Sequence, residues 1–215
     1  MIFSENRLIY LHVPKTGGTS ITRALLPYSD DEMYLHKHQD GIERLGVRGE
    51  NTPRKHARLS EYHRLLGRDF RKYDVAISVR NPLDRAVSMY FSPNRWFRKV
   101  GDQWELEKPY WDYDRFEEMV LKMRSLADFL RIPGILRKKI RRPNHLIRFE
   151  QIDADLEALC KSYGIPFAAA DLPHANKSAA NSAQVEAAKS DKAVQKLIHD
   201  NFSLDLKILE RGPRG

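Results

Sequence analysis

Cysteine is almost absent from this 215-residue chain: Cys160 stands alone, so no disulfide can form within it. A small scaffold held together by disulfides is thereby excluded, and a reducing compartment suits the chain. Cys160 falls on the apolar face of a helix-like stretch, Leu156 to Cys160, where a buried structural role is expected. Long apolar runs are missing as well. No stretch approaches the ~20 apolar residues that a membrane-spanning helix needs. The opening residues Met1 to Arg7 include Glu5 and Arg7, and lack the apolar core of a secretory signal. Internal repeats and low-complexity linkers are not found, which points to a single domain over residues 1–215. Acid is scarce relative to base: 37 Lys and Arg face 29 Asp and Glu, giving a formal net charge of +8. That excess favours anionic partners and does not by itself choose among them.

What is present reads as alternating strands and helices. Leu8 to Val13 is a short apolar run of the kind buried on both faces of a sheet. Pro14 to Thr19 break it, and helical spacing resumes from Ser20 until Pro27. Residues 28–51 are polar and read as irregular, followed by a helix over Leu59 to Gly67. A second strand, Tyr73 to Val79, runs into a helix from Leu83 to about Phe91. Asn81 as N-cap, Pro82 at the first helical position and Asp84 in the first turn agree on its start. A third strand, His145 to Phe149, leads to a helix from about Ala154 to Tyr163, closed by Gly164 and Pro166. A last helix spans Gln184 to Leu209, with a break near Asn201. Strands alternating with helices imply an α/β fold with a central parallel sheet flanked by helices, carrying an insertion at about 92–144.

Two segments carry chemistry. Pro14-Lys15-Thr16-Gly17-Gly18-Thr19-Ser20 follows a strand and opens a helix, the arrangement that makes an anion site. Helix-start amides lack intrahelical partners, glycines allow close backbone approach, hydroxyls add donors and Lys15 adds charge. The ATP and GTP loop is written GxxxxGK[ST], with lysine after the glycines; here Lys15 precedes them, so that motif is not matched. The second segment is Arg80-Asn81-Pro82-Leu83-Asp84-Arg85-Ala86-Val87-Ser88. It places an arginine at the end of the second strand, on the edge of the sheet where open α/β proteins bind ligands. Arg80 can grip a phosphate through two parallel hydrogen bonds and Ser88 can complete the shell. A nucleotide kinase wants an acid for Mg²⁺ at such a strand end, and Arg80 puts positive charge there instead.

Together these segments resemble the sulfotransferases that use 3′-phosphoadenosine 5′-phosphosulfate (PAPS), in particular the carbohydrate-type branch called sulfotransferase family 2, which includes heparan and uronyl sulfotransferases. His12 to Ser20 is similar to that family's 5′-phosphosulfate loop, and Val79 to Tyr90 to its 3′-phosphate motif. Lys55-His56 before the second strand, Arg148-Phe149-Glu150, Leu172 to Ser178 and Phe202 to Lys207 match its layout more loosely. The resemblance implies a P-loop-like three-layer fold, PAPS as donor with PAP as product, and no metal. It implies cofactor binding by Pro14, Lys15, Thr16, Gly17, Gly18, Thr19 and Ser20. Arg80 and Ser88 would hold the 3′-phosphate, with Lys177 and Ser178 in a loop closing over the nucleotide. Lys15 would stabilise the leaving oxygen and His56 would serve as base. The acceptor would be a hydroxyl of a sugar or glycan, with no nucleic-acid partner and no stable membrane insertion. Lacking the anchor of the Golgi members, the chain is expected to be cytoplasmic and bacterial.

Several alternatives stay open at this point. Glu61 or a carboxylate of the insertion can replace His56 as base, and Arg54 to Arg58 can be a basic surface loop. His12 is expected to prop the loop. His36 and His38 flank no complete ligand set with Asp40, so no metal site is expected. The aromatics Trp96, Trp104, Tyr110, Trp111 and Tyr113 suit an acceptor cleft, an adenine platform or an ordinary core. Arg137 to Arg142 is either a solvated face or a glycan contact. Competing functions are a P-loop-type kinase of altered motif and a non-catalytic binder of anionic glycans.

Overall fold

The structure, a computed structural model, describes residues 1–37, 43–134, 139–167, 172 and 182–214. It opens with β1 (Ile2–Phe3) and β2 (Leu8–Leu11), then α1 (Gly18–Leu25). A hairpin of β3 (Glu32–Lys37) and β4 (Glu43–Arg48) precedes α2 (Leu59–Leu66), β5 (Asp74–Val79) and α3 (Pro82–Tyr90). The insertion holds a second hairpin, β6 (Phe97–Val100) and β7 (Gln103–Leu106), then α4 (Tyr113–Lys122), α5 (Leu126–Leu130), β8 (Arg131–Ile132) and β9 (Lys139–Ile140). The chain closes with β10 (His145–Arg148), α6 (Ile152–Ser162), α7 (Ser182–Ser190) and α8 (Lys192–Arg211).

The central sheet runs β1-β2-β5-β10, with β2, β5 and β10 mutually parallel, as the alternation of strands and helices implied. The two-residue β1 adds an antiparallel edge that the sequence reading lacked, pairing Ile2 with Ile9. All four residues of β2 are fully buried, and their alternation sorts them to two faces. Ile9 and Leu11 join Val75, Ile77 and Val79 against Leu59 and Tyr62 of α2 and Phe129 of α5. Leu8 and Tyr10 point the other way, onto Ile21 and Leu25 of α1 and Leu156 and Cys160 of α6. Helices therefore cover both faces of the sheet, which gives the three layers expected. Each such buried side chain contributes about 1.5–3 kcal/mol relative to exposure.

A third apolar cluster lies beyond the sheet, where α3, α4, α7 and α8 pack around Trp96, Phe116, Val194 and Phe202. At its junction with the sheet, Arg85 and Asp205 form a fully buried ion pair at 3.5 Å. Asp205 also accepts the α5 amides of Leu126 and Ala127, at 2.8 and 3.2 Å. Such a pair is costly to break from one side, because the remaining charge stays buried.

Two readings of the sequence need correction. Within the stretch read as irregular, Glu32 to Lys37 pair with Arg48 to Glu43 in register. The hairpin escaped notice because Met33, Tyr34 and Leu35 stand exposed, so no buried face leaves a period-two pattern. The last helix is also divided, by Asp191, whose side chain accepts from the Ala193 amide at 2.7 Å and starts α8. The break expected near Asn201 is present as a kink at Phe202. The start of α3 is as read, with Asn81 accepting from the Leu83 amide at 2.9 Å.

Candidate active site

The loop between β2 and α1 is held from beneath. Thr16 is fully buried; its hydroxyl donates to the Val13 carbonyl at 2.8 Å and shares a hydrogen bond with Ser78 at 2.6 Å. That hydroxyl therefore fastens the loop to β5 instead of facing a ligand. Lys15 and Gly17 both adopt left-handed backbone, with φ of 69° and 75°. For a lysine this costs about 1–3 kcal/mol, which a fold retains where it serves a site. Left-handed turns of this kind gather backbone amides into anion-binding concavities, and the α1 dipole adds to the effect.

The glycines do something different from what the sequence suggested. A Cβ on Gly18 would sit 2.2 Å from the His12 ring, and one on Gly17 would sit 2.7 Å from Ile152. Both are small because the protein's own side chains press on the loop, not only because a ligand approaches. His12 is buried, packs its ring against Gly18 of the loop it was expected to prop, and is bonded through Nδ1 to the Thr22 hydroxyl of α1 at 3.1 Å.

Above the loop opens a cleft of about 830 Å³. It brings together Pro14, Lys15, Thr19, His56 and Ser88 of the residues singled out in the sequence. Thr16, Gly17, Gly18, Ser20 and Arg80 do not line it; the first four form the loop's floor and the start of α1. Arg80 contacts the loop, with Nη1 donating to the Lys15 carbonyl at 3.5 Å and the guanidinium 4.0 Å over the Phe149 ring. Its Nε is buried and has no hydrogen-bond partner among the described residues. Lys177 and Ser178 lie outside the described residues, as do His38, Asp40 and Arg137.

The cleft is cationic. Lys15, Lys55, Arg95 and Arg115 line it, and among the described residues no Asp or Glu does. Lys15 donates to the Ser92 hydroxyl at 3.0 Å. Burial lowers its pKa, with Arg80 and Arg95 adding repulsion. Lys55 reaches the Thr19 hydroxyl at 3.5 Å, and burial, then Arg23 and Lys15, bring its pKa to about 8. Cations crowded this way await an anion. Ser92, Arg95 and Arg115 were not singled out as cofactor-side groups, since they come from the insertion and reach the site only through its folding.

His56 sits at the junction of this cleft with a second lobe of about 730 Å³. Its Nδ1 lies 2.9 Å from the His12 carbonyl. A carbonyl only accepts, so Nδ1 carries the hydrogen and Nε2 is left as the acceptor. Burial lowers its pKa to about 4, and Lys55 and Arg54 push in the same direction, so the imidazole is neutral near pH 7. Glu61, the alternative base, is absent from both lobes and accepts instead from the Arg58 amide at 2.9 Å and from Arg54 at 3.0 Å. The second lobe is walled by Tyr34, His36 and Arg44 of the β3–β4 hairpin and by Lys122 and Arg124 at the end of α4.

Trp96 and Trp111 belong mainly to the helical core, although Trp96 also reaches the cleft, beneath the Arg115 guanidinium at 4.2 Å. Trp104 and Tyr110 are exposed. Of the basic run, Arg141 donates to the Tyr73 and Phe70 carbonyls just before β5, and Arg142 to that of Arg211 at the end of the C-terminal helix. Among the described residues no cluster of His, Cys, Asp and Glu is placed to hold a metal, and no helix is long and apolar enough to cross a membrane.

Neither curated proteins nor solved structures gave a match to the chain. A family model described as the sulfotransferase family matches residues 1–210, taking in β2 with its loop, β5 with Arg80, and the closing helix. A cationic cleft on a strand–loop–helix turn, with a neutral histidine beside it, thus lies in a chain that belongs to the sulfotransferase family.

Proposed function

We propose that this transferase takes its sulfonate from PAPS, in one domain of residues 1–215, and delivers it to a hydroxyl of a carbohydrate. The observation that carries this is the pairing of two anion grips: the loop at Lys15, and the half-buried Arg80, whose buried Nε has no partner among the described residues. A donor with phosphate at both its 5′ and 3′ positions suits two grips; a nucleotide with a single phosphate chain needs one. Bound there, PAPS would present a sulfonate on a phosphate leaving group. Pro14 to Ser20 and the first amides of α1 would hold the 5′ end, and Arg80 with Ser88 the 3′-phosphate.

His56 Nε2 takes the proton of the acceptor hydroxyl, whose oxygen then bonds to sulfur as the bond from sulfur to the bridging oxygen breaks. Lys15 stabilises the charge that collects on that oxygen, an electrostatic role that a partly buried site strengthens. Position supports this division: His56 stands between the lobes, with Lys15 on the donor side and Arg44 and Arg124 on the other. The insertion around 92–144 supplies Arg124 to the acceptor side, Arg115 to the donor side, and Arg95 to the wall that both share.

Thermal stabilisation tests the donor. PAP without metal should raise the melting temperature, and ATP with Mg²⁺ should do so less. Stabilisation by Mg-ATP alone would instead identify a kinase. Unchanged binding and turnover in both Lys15→Ala and His56→Ala would identify a non-catalytic glycan binder.

A further inference from the structure

The turn after β10 touches both proposed grips at once. Phe149 places its ring 4.0 Å beneath the Arg80 guanidinium. The same ring stands against the loop: a Cβ on Gly17 would lie 3.2 Å from Phe149 Cδ2 and 2.7 Å from Ile152 Cδ1. Next to it, Glu150 accepts from the Asn81 amide at 3.4 Å, steadying the chain that carries Arg80. One short turn therefore contacts the phosphate loop at Gly17 and the arginine segment at Arg80 and Asn81.

Phe149 is a large apolar side chain left 36% exposed, and it belongs to none of the three apolar clusters. Burial alone does not account for a ring at that position. Its contacts do: a flat ring under a guanidinium fixes the plane of the fork by cation–π attraction. Among the described residues Arg80 has few hydrogen bonds to fix it: Nη1 makes only a 3.5 Å bond to the Lys15 carbonyl and Nε has no partner, while Asp84 and Glu150 act on it through their charge. An arginine free to swing would grip a phosphate less selectively, because ordering it on binding costs side-chain entropy.

We infer that Phe149 is a positioning residue that locks Arg80 and the Lys15–Gly17 loop into one unit, so that two phosphates are held at a fixed separation. This rests on the donor assignment above. Its signature is selectivity for the 3′-phosphate, which a merely structural ring would not alter.

The test is calorimetric titration of PAP and of adenosine 5′-monophosphate into wild type, Phe149→Leu and Phe149→Tyr, with melting temperatures recorded alongside. Phe149→Leu should lose about three- to tenfold of the preference for PAP, the range a cation–π contact supplies. Phe149→Tyr, which keeps the ring, should retain it. In an Arg80→Ala background Phe149→Leu should change the preference no further. Should the leucine variant fail to fold, Phe149→Met is read by the same criterion. An undiminished preference in a folded variant without the ring overturns the role of Phe149 and leaves the donor assignment standing. A wild type that shows no preference for PAP overturns the donor assignment, and this inference with it.

Discussion

The lobe of the cleft around Lys15 draws its floor from two short stretches, β2 to α1 and β5 to α3, whereas the lobe around Arg44 and Arg124 is assembled from a hairpin, a helix end and the insertion. The floor of the first is built from backbone turns and helix starts, with Ser92, Arg95 and Arg115 of the insertion completing its wall. The second is built from side chains that meet only after distant segments fold. Catalysis needs the first to be rigid, since charge must be stabilised without reorganisation. The second can vary with the acceptor at little cost to the fold.

Substitutions can break this contrast. The largest effect is expected at the seam: His56→Ala should slow turnover by about 10²–10⁴-fold, the usual worth of a general base. PAP affinity, measured by calorimetry, should stay near wild type. Lys15→Ala should follow, with kcat down by about 10²–10³-fold, as when a preorganised donor to a developing oxyanion is removed. Arg80→Ala should weaken PAP binding by about 1.5–3 kcal/mol through loss of charged hydrogen bonds, and unchanged affinity would remove Arg80 from the site.

The pH profile sharpens the same division. Burial depresses His56 to about 4, so its neutral, proton-accepting form persists above that value and is lost as pH falls through it. Lys55, depressed to about 8, keeps its charge below that value and loses it as pH rises. In the free enzyme kcat/KM should therefore form a plateau between about 4 and 8, with Lys55→Arg moving the alkaline limb upward. An alkaline limb that stays put in Lys55→Arg would belong to another group. The smallest effect is expected on the acceptor side. Arg124→Ala should raise KM for an anionic acceptor only a few-fold, as for an exposed charge, and leave PAP affinity alone.

How far the sequence could be read follows the same line. The parallel strands, the start of α3 and the loop were visible because apolar runs, Asn81-Pro82 and Gly17-Gly18 each act over a few residues. The strained backbone of Lys15, the inward hydroxyl of Thr16 and the fit of Gly18 to His12 were hidden, because each depends on a partner elsewhere in the chain. The β3–β4 hairpin is hard to read because β3 is largely exposed and β4 buries only the adjacent Gly46 and Val47, which leaves no alternation, and Ser92 because it falls just past the Val79–Tyr90 segment. The tautomer of His56 depends on the His12 carbonyl, 44 positions away.

Transfer of radiolabelled sulfonate from PAPS to a mixed pool of glycans tests the central claim most directly. Wild type should label a component of the pool and release PAP without added metal, while Lys15→Ala and His56→Ala should leave the pool nearly unlabelled. Labelling at the wild-type rate by either variant, or phosphoryl transfer from ATP in place of sulfonate transfer, would contradict the account.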